Sequence, residues 1–589
     1  MAGNKLQPLI YKIDDNENSL KEFEETFEED KSEKKRDIIF NYPTVYIHNW
    51  KEVGQYEVYI GETNSIVQRT KEHYSSANNV MNWQNNLLNK DAQLYIIGHE
   101  HFNKSMTLDV EHRLMLYMMS IDNVKKIHNK RGNPQNRYFP DFEFEEIFQK
   151  IWTDLRKKDA ILFPAESKIK RSAVFKASPL HKLTEEQENA KEFIVQKVFD
   201  AMEGENEHQL IFIEGEAGTG KTVLNSSTFY ELYLKAEEAG IDNFQCYLMV
   251  NHDEQIRVYE QIAKKLGLTD KYGEIVCKPT TFINNHSAET PIDVAFVDEA
   301  HLLLTQGKQS YRGKNQLQDI IERSKVVVIM FDENQILTTE QYWEDQILTY
   351  YKNIAKQNGN YIELKNQLRM SADARTIEWI DAFTKRQTVD MIPTDSKDYE
   401  IKIFSSPEEL EQAIKEKYAS EEFTLSRMVA TYDWPYSSEK PPERRIRRYW
   451  EVLIENWHKP WNRELEKELG RQDKRGIKDL AWAEQPQTID EIGSTFTIQG
   501  FDLNYAGVIL GPSVKYRDGK IIFDPEKSWN KKATRNRTLS DGTRQKFGEK
   551  LIQHEVRVLM TRGVNGLYIY ACDEELRNAL LNATGNHVE

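Results

Sequence analysis

Eight consecutive residues in the middle of the chain have the composition of a phosphate-binding loop. They are Gly215, Glu216, Ala217, Gly218, Thr219, Gly220, Lys221 and Thr222, which fit the pattern GxxxxGK[ST] and follow the apolar run Leu210–Glu214. In such a loop the glycines allow backbone N–H groups to wrap around phosphate oxygens. We expect Lys221 to reach the outer phosphates and the Thr222 hydroxyl to ligate Mg²⁺. The backbone cradle would be formed by Gly215, Gly218, Thr219 and Gly220.

An acidic pair follows another apolar run. Asp298 and Glu299 come directly after Val294–Val297. Two carboxylates at the end of a buried strand supply what Mg²⁺ binding and water activation need, so we expect Asp298 to hold the metal and Glu299 to polarise the attacking water. The alternative is an ordinary helix N-terminus, where acidic residues are favoured for electrostatic reasons. Their position downstream of a phosphate-binding loop favours the catalytic interpretation.

A glutamine closes a third run of this kind. The segment Val326–Met330 is followed by FDENQ, which places Gln335 just beyond the end of a predicted strand. An amide at this point could contact the γ-phosphate of a nucleotide and couple it to a second site. A polar turn explains the same residues equally well on local grounds.

A separate set of residues near the N-terminus has the chemistry of phosphodiester cleavage. In chain order it comprises Tyr46, Tyr59, Gly61, Arg69, His73, Glu111 and Asn129. Glu111 can hold a divalent metal and Arg69 can clamp a scissile phosphate with two parallel hydrogen bonds. Either Tyr46 or His73 can transfer a proton to or from water, and Tyr59 can orient the water or the phosphate. The alternative is that the tyrosines pack in a hairpin core and the charged residues are solvated.

The elements that position these residues differ between the two halves of the chain. Near the N-terminus, Thr44–Trp50 and Tyr56–Ile60 predict a hairpin, and helices are expected near Ile66–Tyr74 and over Leu108–Met119. From Leu183 onwards, apolar runs alternate with longer helical stretches. These runs are Leu210–Glu214, Gln245–Val250, Val294–Val297, Val326–Phe331, Met428–Thr431, Ala506–Leu510 and Gly566–Tyr570. Continuous apolar strands between helices predict an α/β fold with parallel sheets covered on both faces.

The order of motifs in the second half resembles that of superfamily 1 helicases. The set consists of LTEEQ at Leu183–Gln187, the glycine loop, DEAH at Asp298–His301, FDENQ, LKNQLR at Leu364–Arg369, TFTIQGFD at Thr495–Asp502 and LMTR at Leu559–Arg562. It is most similar to the bacterial helicase-like family related to the Schlafen ATPases, over about residues 180–589. The resemblance implies two RecA-like lobes, ATP and Mg²⁺ as cofactors, and nucleic acid as partner. FDENQ departs from the superfamily, which usually has glycine before the aspartate.

The helicase resemblance also implies roles for matching residues. Gln187 should contact the adenine, and Gln335 should lie beside the γ-phosphate. Arg369 and Arg562 should approach the transferred phosphoryl group as arginine fingers do, although surface salt bridges are the alternative.

Three further matching residues should lie at the cleft between the lobes. They are Gln499, Gly500 and Asp502, which would link the nucleotide to the nucleic acid. In such a motor, ATP closes two lobes, hydrolysis opens them, and a strand held between them moves.

The N-terminal set resembles the GIY-YIG nucleases. TVY at Thr44–Tyr46 and YIG at Tyr59–Gly61 match the paired strands of that family, and Arg69, His73, Glu111 and Asn129 follow in its order over about residues 42–135. This resemblance implies a small α+β nuclease domain with Mg²⁺ at Glu111, or Mn²⁺ in its place. Thr44 stands where the family has glycine, which would change how closely the chain approaches a substrate. Asn129 is the least specific match, because other asparagines lie close by.

Composition and charge define the broad class of protein. The chain has 589 residues, of which 39% are hydrophobic and 30% charged, enough for several packed cores. The net charge of −16 argues only weakly against a nucleic-acid partner, because total charge does not reveal a local basic groove. Three cysteines lie far apart, no apolar stretch reaches the roughly 18 residues that span a bilayer, and the N-terminus lacks a secretory signal. These features favour a cytoplasmic protein without a membrane partner.

Five segments are predicted along the chain. Residues 1–40 form an acidic flexible N-terminal segment, 41–150 the nuclease-like domain, 151–180 a linker, 181–395 RecA-like lobe 1 and 396–589 RecA-like lobe 2. The acidic stretch Asp14–Asp30 is expected to be a solvated tail and not a nucleic-acid mimic.

Two basic stretches allow either a functional or a structural interpretation. Five tryptophans between Trp434 and Trp482 lie beside Arg444, Arg445, Arg447 and Arg448. Core packing is favoured there over base stacking. Lys531, Lys532, Arg535, Arg537 and Arg544 lie in a predicted insertion that is either a strand-contacting loop or a soluble one.

Together the motifs predict an ATP-dependent nucleic-acid motor coupled to a metal-dependent endonuclease. DNA is favoured over RNA, and defence against phage or foreign DNA follows from domain pairing by analogy. The main alternative is an ATP-binding switch that licenses the nuclease without translocation. A scaffold with inactive sites is a third hypothesis, against which the intact Lys221, Asp298 and Glu111 argue. A homo-oligomer is compatible with the sequence.

Overall fold

The computed structural model describes residues 7–29, 32–76, 83–88, 91–129, 138–204, 208–307, 311–313, 315–420, 422–442, 448–477, 480–498 and 501–585. Its strands are β1 (Leu9–Asp14), β2 (Thr44–Glu52), β3 (Gln55–Thr63), β4 (Gln93–Gly98), β5 (Val124–Ile127), β6 (Gln209–Gly215), β7 (Cys246–Met249), β8 (Val276–Cys277), β9 (Ile292–Val297), β10 (Ser324–Phe331), β11 (Tyr361–Leu364), β12 (Glu400–Ile403), β13 (Arg427–Ala430), β14 (Glu451–Ile454), β15 (Trp457–Pro460), β16 (Leu503–Leu510), β17 (Val514–Arg517), β18 (Lys520–Phe523), β19 (Arg537–Thr538), β20 (Arg544–Gln545) and β21 (Gly563–Ala571).

Helices connect most of these strands. They are α1 (Glu17–Glu29), α2 (Glu33–Phe40), α3 (Ile66–Ser76), α4 (Lys104–Met119), α5 (Phe144–Lys158), α6 (Glu166–Arg171), α7 (Ala173–Ala177), α8 (Glu185–Glu203), α9 (Lys221–Glu238), α10 (Asp253–Lys265), α11 (Leu268–Tyr272), α12 (Pro279–Asn285), α13 (Gln316–Ile321), α14 (Asp345–Gln357), α15 (Ala374–Asp381), α16 (Pro407–Tyr418), α17 (Arg471–Ile477), α18 (Lys531–Thr534), α19 (Gly548–Met560) and α20 (Glu574–Asn582). No helix in the described part of the chain is long and apolar enough to cross a membrane.

The chain divides into two compact units, and one predicted domain contributes to both. The first unit contains Met1–Lys197 and Thr222–Lys278, and the second contains Val198–Lys221 and Pro279–Glu589. The segment 181–395, predicted as one lobe, is therefore divided between them. Helices α10 and α11 belong to the same unit as the N-terminal sheet.

The first unit contains a five-stranded sheet with the order β1-β4-β2-β3-β5. The predicted hairpin is confirmed, since β2 and β3 pair antiparallel along their whole length. Val53 and Gly54 close it with φ values of 49° and 82°. Positive φ at both positions is the geometry of a type I′ turn, whose twist matches that of the paired strands. Helices α3 and α4 confirm the two predicted helical segments.

The N-terminal segment corrects the prediction of a flexible acidic tail over residues 1–40. Leu9–Asp14 is an edge strand antiparallel to β4. Phe23 and Phe27 of α1 pack in a core cluster with Tyr46 and Ile96. An amphipathic helix can carry a high net charge on its solvent face and still bury an apolar stripe. Charge content alone did not reveal that stripe.

The predicted linker at 151–180 is also ordered. Helix α5 extends to Lys158, and the short helices α6 and α7 follow. Leu162 and Phe163, between α5 and α6, are fully buried. Trp152 Nε1 of α5 donates a hydrogen bond to Pro164 O at 2.8 Å. The segment lacked a periodic apolar pattern because part of its packing is made by a turn and not by one helix face.

The second unit contains the parallel strands predicted from continuous apolar runs. β11-β6-β10-β9 are neighbours in one sheet, and β12-β21-β16-β13 form another. All six neighbouring pairs in these two sets are parallel. The central strand β10 is buried along almost its whole length, as a strand covered on both faces should be. The α/β fold class is confirmed for this unit.

The tryptophan-rich segment belongs to the hydrophobic core. Trp434, Trp457, Trp461 and Trp482 are at most 7% exposed and pack in the clusters around β13 and β16. This agrees with the packing interpretation. Arg444, Arg445 and Arg447 lie outside the described residues.

The second basic stretch is partly structural. Arg537 is 2% exposed and donates to Thr339 O at 2.6 Å and to Thr305 Oγ1 at 2.9 Å. Arg535 forms an ion pair with Glu340. These two guanidinium groups are therefore engaged by protein groups.

Candidate functional site

The predicted phosphate-binding loop connects β6 to α9. Gly218 and Gly220 have φ values of 91° and 78°, a left-handed conformation that disfavours residues with a Cβ. At Gly218 a Cβ would also lie 2.0 Å from Gln367 Oε1. The backbone geometry therefore requires glycine at both positions.

Lys221 lies inside this loop. Its side chain is 6% exposed, and Nζ donates to Gly215 O at 2.6 Å and to Glu216 O at 2.9 Å. Nζ also lies 3.7 Å from Asp332 Oδ2. An ammonium held by neutral carbonyl oxygens can exchange them for phosphate oxygens, because hydrogen bonds to a charged acceptor are stronger.

The acidic pair follows β9 at the carboxyl edge of the sheet. Asp298 is 1% exposed, and its Oδ1 accepts a hydrogen bond from Glu299 N at 3.0 Å. Glu299 has a φ of 49°, and a left-handed residue other than glycine costs of order 1–3 kcal/mol and is typical of functional sites. Glu299 Oε2 lies 3.4 Å from His301 Nε2. Burial lowers the pKa of His301, which keeps the ring neutral.

Asp332 is a site residue to which sequence reasoning gave no role. It follows β10, and its Oδ2 accepts a hydrogen bond from Gln335 Nε2 at 2.8 Å. Burial opposes ionisation of Asp332, yet the charge of Lys221 holds its pKa below the usual value. Arg562 Nη2 lies 3.5 Å from Gln335 Oε1. The sequence signal that could have identified Asp332 is its position directly after a buried strand, which it shares with Asp298.

Two arginines approach this network. Arg562 is 1% exposed, and burial together with the charge of Arg369 lowers its pKa to about 10. Arg369 Nε forms an ion pair with Asp502 Oδ1 at 2.6 Å. Gln367 ties this segment to the loop, because its Nε2 donates to Ala217 O at 2.6 Å and its Oε1 accepts from Arg369 N at 2.8 Å. The second unit thus brings Lys221, Asp298, Glu299, Gln335, Arg369, Asp502 and Arg562 around one loop; we term this set the candidate nucleotide site.

Other predicted nucleotide-binding residues are described only locally. Gln187 is 3% exposed, and its Oε1 accepts a hydrogen bond from Thr184 N at 3.0 Å at the start of α8. Thr222 is the second residue of α9. Gln499 and Gly500 lie outside the described residues.

Glu216 in the loop has partners that the motifs did not indicate. Its carboxylate forms ion pairs with Arg557 and, at 2.6 Å, with Lys385 Nζ. Arg557 also pairs with Asp381 at 2.5 Å. These contacts tie the loop to α19, the helix that leads to Arg562.

In the first unit, β2 and β3 hold the two predicted tyrosines. Tyr46 lies opposite Gly61, and Tyr59 lies opposite His48. A Cβ at Gly61 would lie 2.4 Å from the Tyr46 hydroxyl, so glycine is needed for the phenol to cross the hairpin. Thr44 is fully buried, and its hydroxyl has no hydrogen-bond partner in the described part of the chain.

Tyr46 and His73 are directly connected. The Tyr46 hydroxyl lies 3.0 Å from His73 Nε2. Burial, reinforced by Tyr59, raises the pKa of Tyr46. Burial, together with the charge of Arg69, lowers the pKa of His73 to about 3. At neutral pH the phenol therefore keeps its proton and the imidazole is neutral.

Arg69 lies one helical turn before His73 on α3. Its Nη1 is 3.1 Å from Glu72 Oε2, and its side chain is 42% exposed. A hydrogen bond with Tyr46 raises the pKa of Arg69, so the guanidinium stays charged. A charged and accessible guanidinium can exchange an exposed carboxylate for a phosphate.

Glu111 on α4 lines the same cleft as Tyr46 and Arg69. Asn129 also lines it, accepting a hydrogen bond from Ile60 N at 2.9 Å and donating to Ile60 O. This amide fixes the strand that carries Tyr59. The structure therefore groups the predicted residues Tyr46, Tyr59, Arg69, His73 and Glu111, which we term the candidate nuclease site.

Helices from residues 222–278 form another wall of this cleft. Tyr230, Leu234 and Glu237 of α9 line it. Lys126, in the N-terminal sheet, forms an ion pair with Asp270 of α11 at 2.7 Å. Helix α9 thus contributes to the wall of the candidate nuclease site.

Lys265 makes a second connection between these parts of the first unit. It ends α10 and is 8% exposed. Its Nζ donates to Met119 O at 2.8 Å and to Ile121 O at 2.7 Å, at the end of the helix that carries Glu111. Burial lowers the pKa of Lys265 to about 8.

Comparison with known proteins identifies similarity over the second half of the chain. Residues 208–573 match the model of the Schlafen group 3 DNA/RNA helicase domain. The Saccharomyces cerevisiae protein "Uncharacterized protein YPL245W" is 32% identical over 404 residues, which are 64% of this chain and 84% of that protein.

Solved helicase structures are more distant. Pif1 helicases at forked double-stranded DNA match with 11% identity and a TM-score of 0.25, over 68% of this chain and 94% of theirs. S. cerevisiae Dbp5 bound to RNA and ADP BeF3 matches with 12% identity and a TM-score of 0.27, over 68% and 90%. The DUF1998 helicase MrfA bound to DNA and AMPPNP matches with 11% identity and a TM-score of 0.28, over 71% and 52%. This structural similarity is weak and adds no argument to the sequence match.

Proposed function

The chain belongs to the Schlafen group 3 DNA/RNA helicase-domain family, and on that basis we propose that it is an ATP-driven nucleic-acid motor coupled to a metal-dependent endonuclease. The observation that carries the motor is the buried network of Lys221, Asp332, Gln335 and Arg562. The endonuclease is supported by the Tyr46–His73 hydrogen bond in a cleft that Glu111 also lines.

The candidate nucleotide site fits a nucleoside triphosphate with Mg²⁺. Arg369 Nη1 and Arg562 Nε are buried atoms with no hydrogen-bond partner within the described residues. Buried cations need anionic partners, and phosphate oxygens would satisfy both. The Asp298 carboxylate and the Thr222 hydroxyl are oxygen ligands of the kind that Mg²⁺ prefers. When bound, the metal would neutralise charge on the phosphates.

Glu299 and Gln335 have complementary tasks in this proposal. Glu299 orients the attacking water and takes its proton, and neutral His301 lies beside that carboxylate. Gln335 contacts both Asp332 and Arg562. Binding or loss of a γ-phosphate at Gln335 would therefore change its contacts with both Asp332 and Arg562.

The candidate nuclease site fits a single divalent ion held by few protein ligands. Within the described residues, no group of three or more His, Cys, Asp or Glu side chains is placed to hold a metal. Glu111 would therefore be one ligand, and water and phosphate oxygens would complete the shell. The ion, Mg²⁺ or Mn²⁺, would acidify a water molecule and neutralise phosphate charge. Arg69 would bind the scissile phosphate, Tyr59 would orient it, and either Tyr46 or His73 would exchange a proton with water.

Cleavage of linear, circular and single-stranded DNA with Mg²⁺, with and without ATP, tests the proposal. We expect Glu111→Ala to abolish cutting and Lys221→Ala to abolish only its ATP dependence. Glu52→Ala is the matched control, because Glu52 is a cleft carboxylate whose partner is Lys125. If neither main variant changes cutting, the site assignments are wrong. If only RNA is cut, the proposed DNA preference is wrong.

An ATP-binding switch is the second candidate function. It is favoured by Tyr230, Leu234 and Glu237 of α9, which line the candidate nuclease cleft. Strand displacement and triplex displacement report translocation. ATP-dependent cutting without either activity would favour the switch over the motor.

The biological setting is proposed by analogy with the domain pairing. We propose cytoplasmic destruction of phage or other foreign DNA, with a homo-oligomer supplying two nuclease sites for two strands. Unchanged phage and plasmid sensitivity after loss of the gene would contradict the first part. A monomer that cuts both strands would contradict the second.

A further inference from the structure

A buried histidine and aspartate lie against the tyrosines of the candidate nuclease site, outside its predicted motifs. His48 lies on β2, opposite Tyr59. Its Nδ1 is 2.6 Å from Asp15 Oδ2, and neither side chain is exposed to solvent. Asp15 directly follows β1, in the segment that sequence reasoning treated as a solvated tail.

Asp15 is held in place from several directions. Its backbone N donates to Ala92 O at 3.0 Å, which continues the pairing of β1 with β4. Its Oδ1 accepts a hydrogen bond from the Tyr74 hydroxyl at 2.8 Å. Tyr74 is the neighbour of His73 on α3. The carboxylate is thus fixed between the N-terminal strand and the helix that carries Arg69 and His73.

The second nitrogen of His48 is buried without a partner. Nε2 makes no hydrogen bond to any described residue. The rings nearest to His48 are those of Tyr46, His73, Trp83 and Tyr59, with centroid distances of 5.3, 5.3, 5.5 and 6.3 Å. A carboxylate can only accept, so Nδ1 carries a proton, and in the neutral ring Nε2 is then an acceptor. Buried polar atoms normally have a partner, so Nε2 is available to bind a small polar molecule inside this aromatic cluster.

We propose that Asp15 and His48 form a positioning pair of the candidate nuclease site, in which the carboxylate fixes the imidazole tautomer and Nε2 holds a water molecule among Tyr46, Tyr59 and His73. The inference rests on the proposed nuclease function and adds two residues to it. The water orients the hydrogen bonds of the tyrosine cluster, so the pair acts through other residues. The acidic N-terminal segment therefore completes the site.

Asp15→Asn tests the pair, because an amide can donate as well as accept and no longer enforces one tautomer. In Mg²⁺-dependent DNA cleavage by the full chain, we expect kcat to fall by roughly one to three orders of magnitude with KM little changed. The ¹⁵N shifts of His48, assigned with His48→Gln, should change from the Nδ1-protonated tautomer to a mixture. Tyr74→Phe is the matched control, since it removes the other hydrogen bond to Asp15 but keeps the carboxylate. It should leave the tautomer and most of kcat intact.

The outcomes separate this inference from the nuclease proposal. A folded Asp15→Asn variant with wild-type kcat overturns the positioning role. If the native chain shows no Glu111-dependent cleavage, the nuclease proposal and the positioning role are both wrong. The ¹⁵N shifts of His48 would still show whether Asp15 fixes its tautomer. If Asp15→Asn does not fold, His48→Gln replaces it in the kinetic assay, and wild-type kcat there also overturns the inference.

Discussion

The two candidate sites both handle phosphate, but they are built from opposite kinds of buried groups. In the candidate nucleotide site, charged side chains lie close together: the buried Lys221 is beside the buried Asp332, and the buried Arg562 is near the half-buried pair of Arg369 and Asp502. In the candidate nuclease site, the two hydrogen-bonded groups at the predicted motif positions are neutral, although the Asp15 carboxylate is buried beside His48. Tyr46 keeps its proton, His73 is neutral, and the charged Arg69 remains partly exposed.

This difference has an energetic consequence. Removing one member of a buried charged network leaves another charge unpaired, which costs several kcal/mol. Removing one member of a neutral hydrogen-bonded pair costs about 1–3 kcal/mol. The nucleotide site should therefore tolerate substitution poorly, whereas the nuclease site should lose rate while the fold persists.

Lys221→Ala is expected to have the largest effect. It removes the contact to the outer phosphates and leaves Asp332 buried without its cation, so ATP turnover should fall more than about 100-fold. Steady-state phosphate release measures this. Lys352→Ala is the control, because Lys352 pairs with Glu214 on the neighbouring strand β6. Turnover that survives in Lys221→Ala would contradict the assignment of the loop.

Arg69→Lys should reduce cutting by roughly 10- to 100-fold, because an ammonium cannot form two parallel hydrogen bonds to a phosphate. ATP turnover and thermal stability should stay unchanged, since Arg69 is partly exposed. Lys71→Arg, on the same helix and paired with Glu24, controls for surface charge. A loss of fold in place of rate would show that Arg69 is structural.

A third prediction contrasts two buried carboxyls of the second unit. The charge of Lys221 holds the pKa of Asp332 low, whereas burial, with a contribution from Asp433, raises the pKa of Glu555 to about 8. The protonated form of Glu555 therefore stabilises the fold below the ordinary pKa of a glutamate. That contribution is lost as pH rises through 8, at up to about 1.4 kcal/mol per pH unit.

Thermal unfolding of the second unit between pH 5 and 9 tests this sign. Glu555→Gln should flatten the pH dependence and raise the melting temperature at the alkaline end. Glu549→Gln, an exposed carboxyl on the same helix, should change nothing. A steeper dependence in Glu555→Gln would refute the protonated state.

Local patterns in the sequence predicted the scaffolds of both sites. The hairpin followed from alternation around Val53 and Gly54, and the parallel strands followed from continuous apolar runs such as Val326–Phe331. The short motif predicted the phosphate-binding loop, and the positive φ angles of Gly218 and Gly220 disfavour any residue other than glycine there. Each of these signals is contained within a few neighbouring residues.

What the sequence did not predict depends on contacts between distant segments. Asp15 meets His48 because β1 pairs with β4, and Lys265 meets the end of α4 through packing of residues 222–278 against the N-terminal sheet. A single lysine at the end of a helix carries no pattern that identifies such a partner. The acidic composition around Asp15 also suggested a solvated tail, which concealed the aromatic stripe of α1.

Lys265→Met tests the connection between α10 and α4. The substitution keeps an apolar stem but leaves Met119 O and Ile121 O without their donor, which should destabilise the first unit by about 1–3 kcal/mol. Hydrogen exchange should rise at the end of α4 and remain unchanged in α19. If the switch hypothesis holds, ATP should also lose its effect on cutting while ATP turnover persists. Unchanged exchange would show that the contact contributes little.

Thr44→Val should have the smallest effect and addresses the departure from the GIY-YIG pattern. The Thr44 hydroxyl is buried without a partner in the described chain, so replacing it with a methyl group of similar shape should stabilise the first unit by about 1 kcal/mol. Cutting should not change, because the hydroxyl serves no step of the proposed chemistry. Thr44→Gly is the informative comparison, since it restores the family residue but adds a cavity and backbone freedom. If Thr44→Val reduces cutting with stability unchanged, the hydroxyl contacts the substrate. The nuclease site would then use a further polar group, and its difference from the charged nucleotide site would be smaller than proposed.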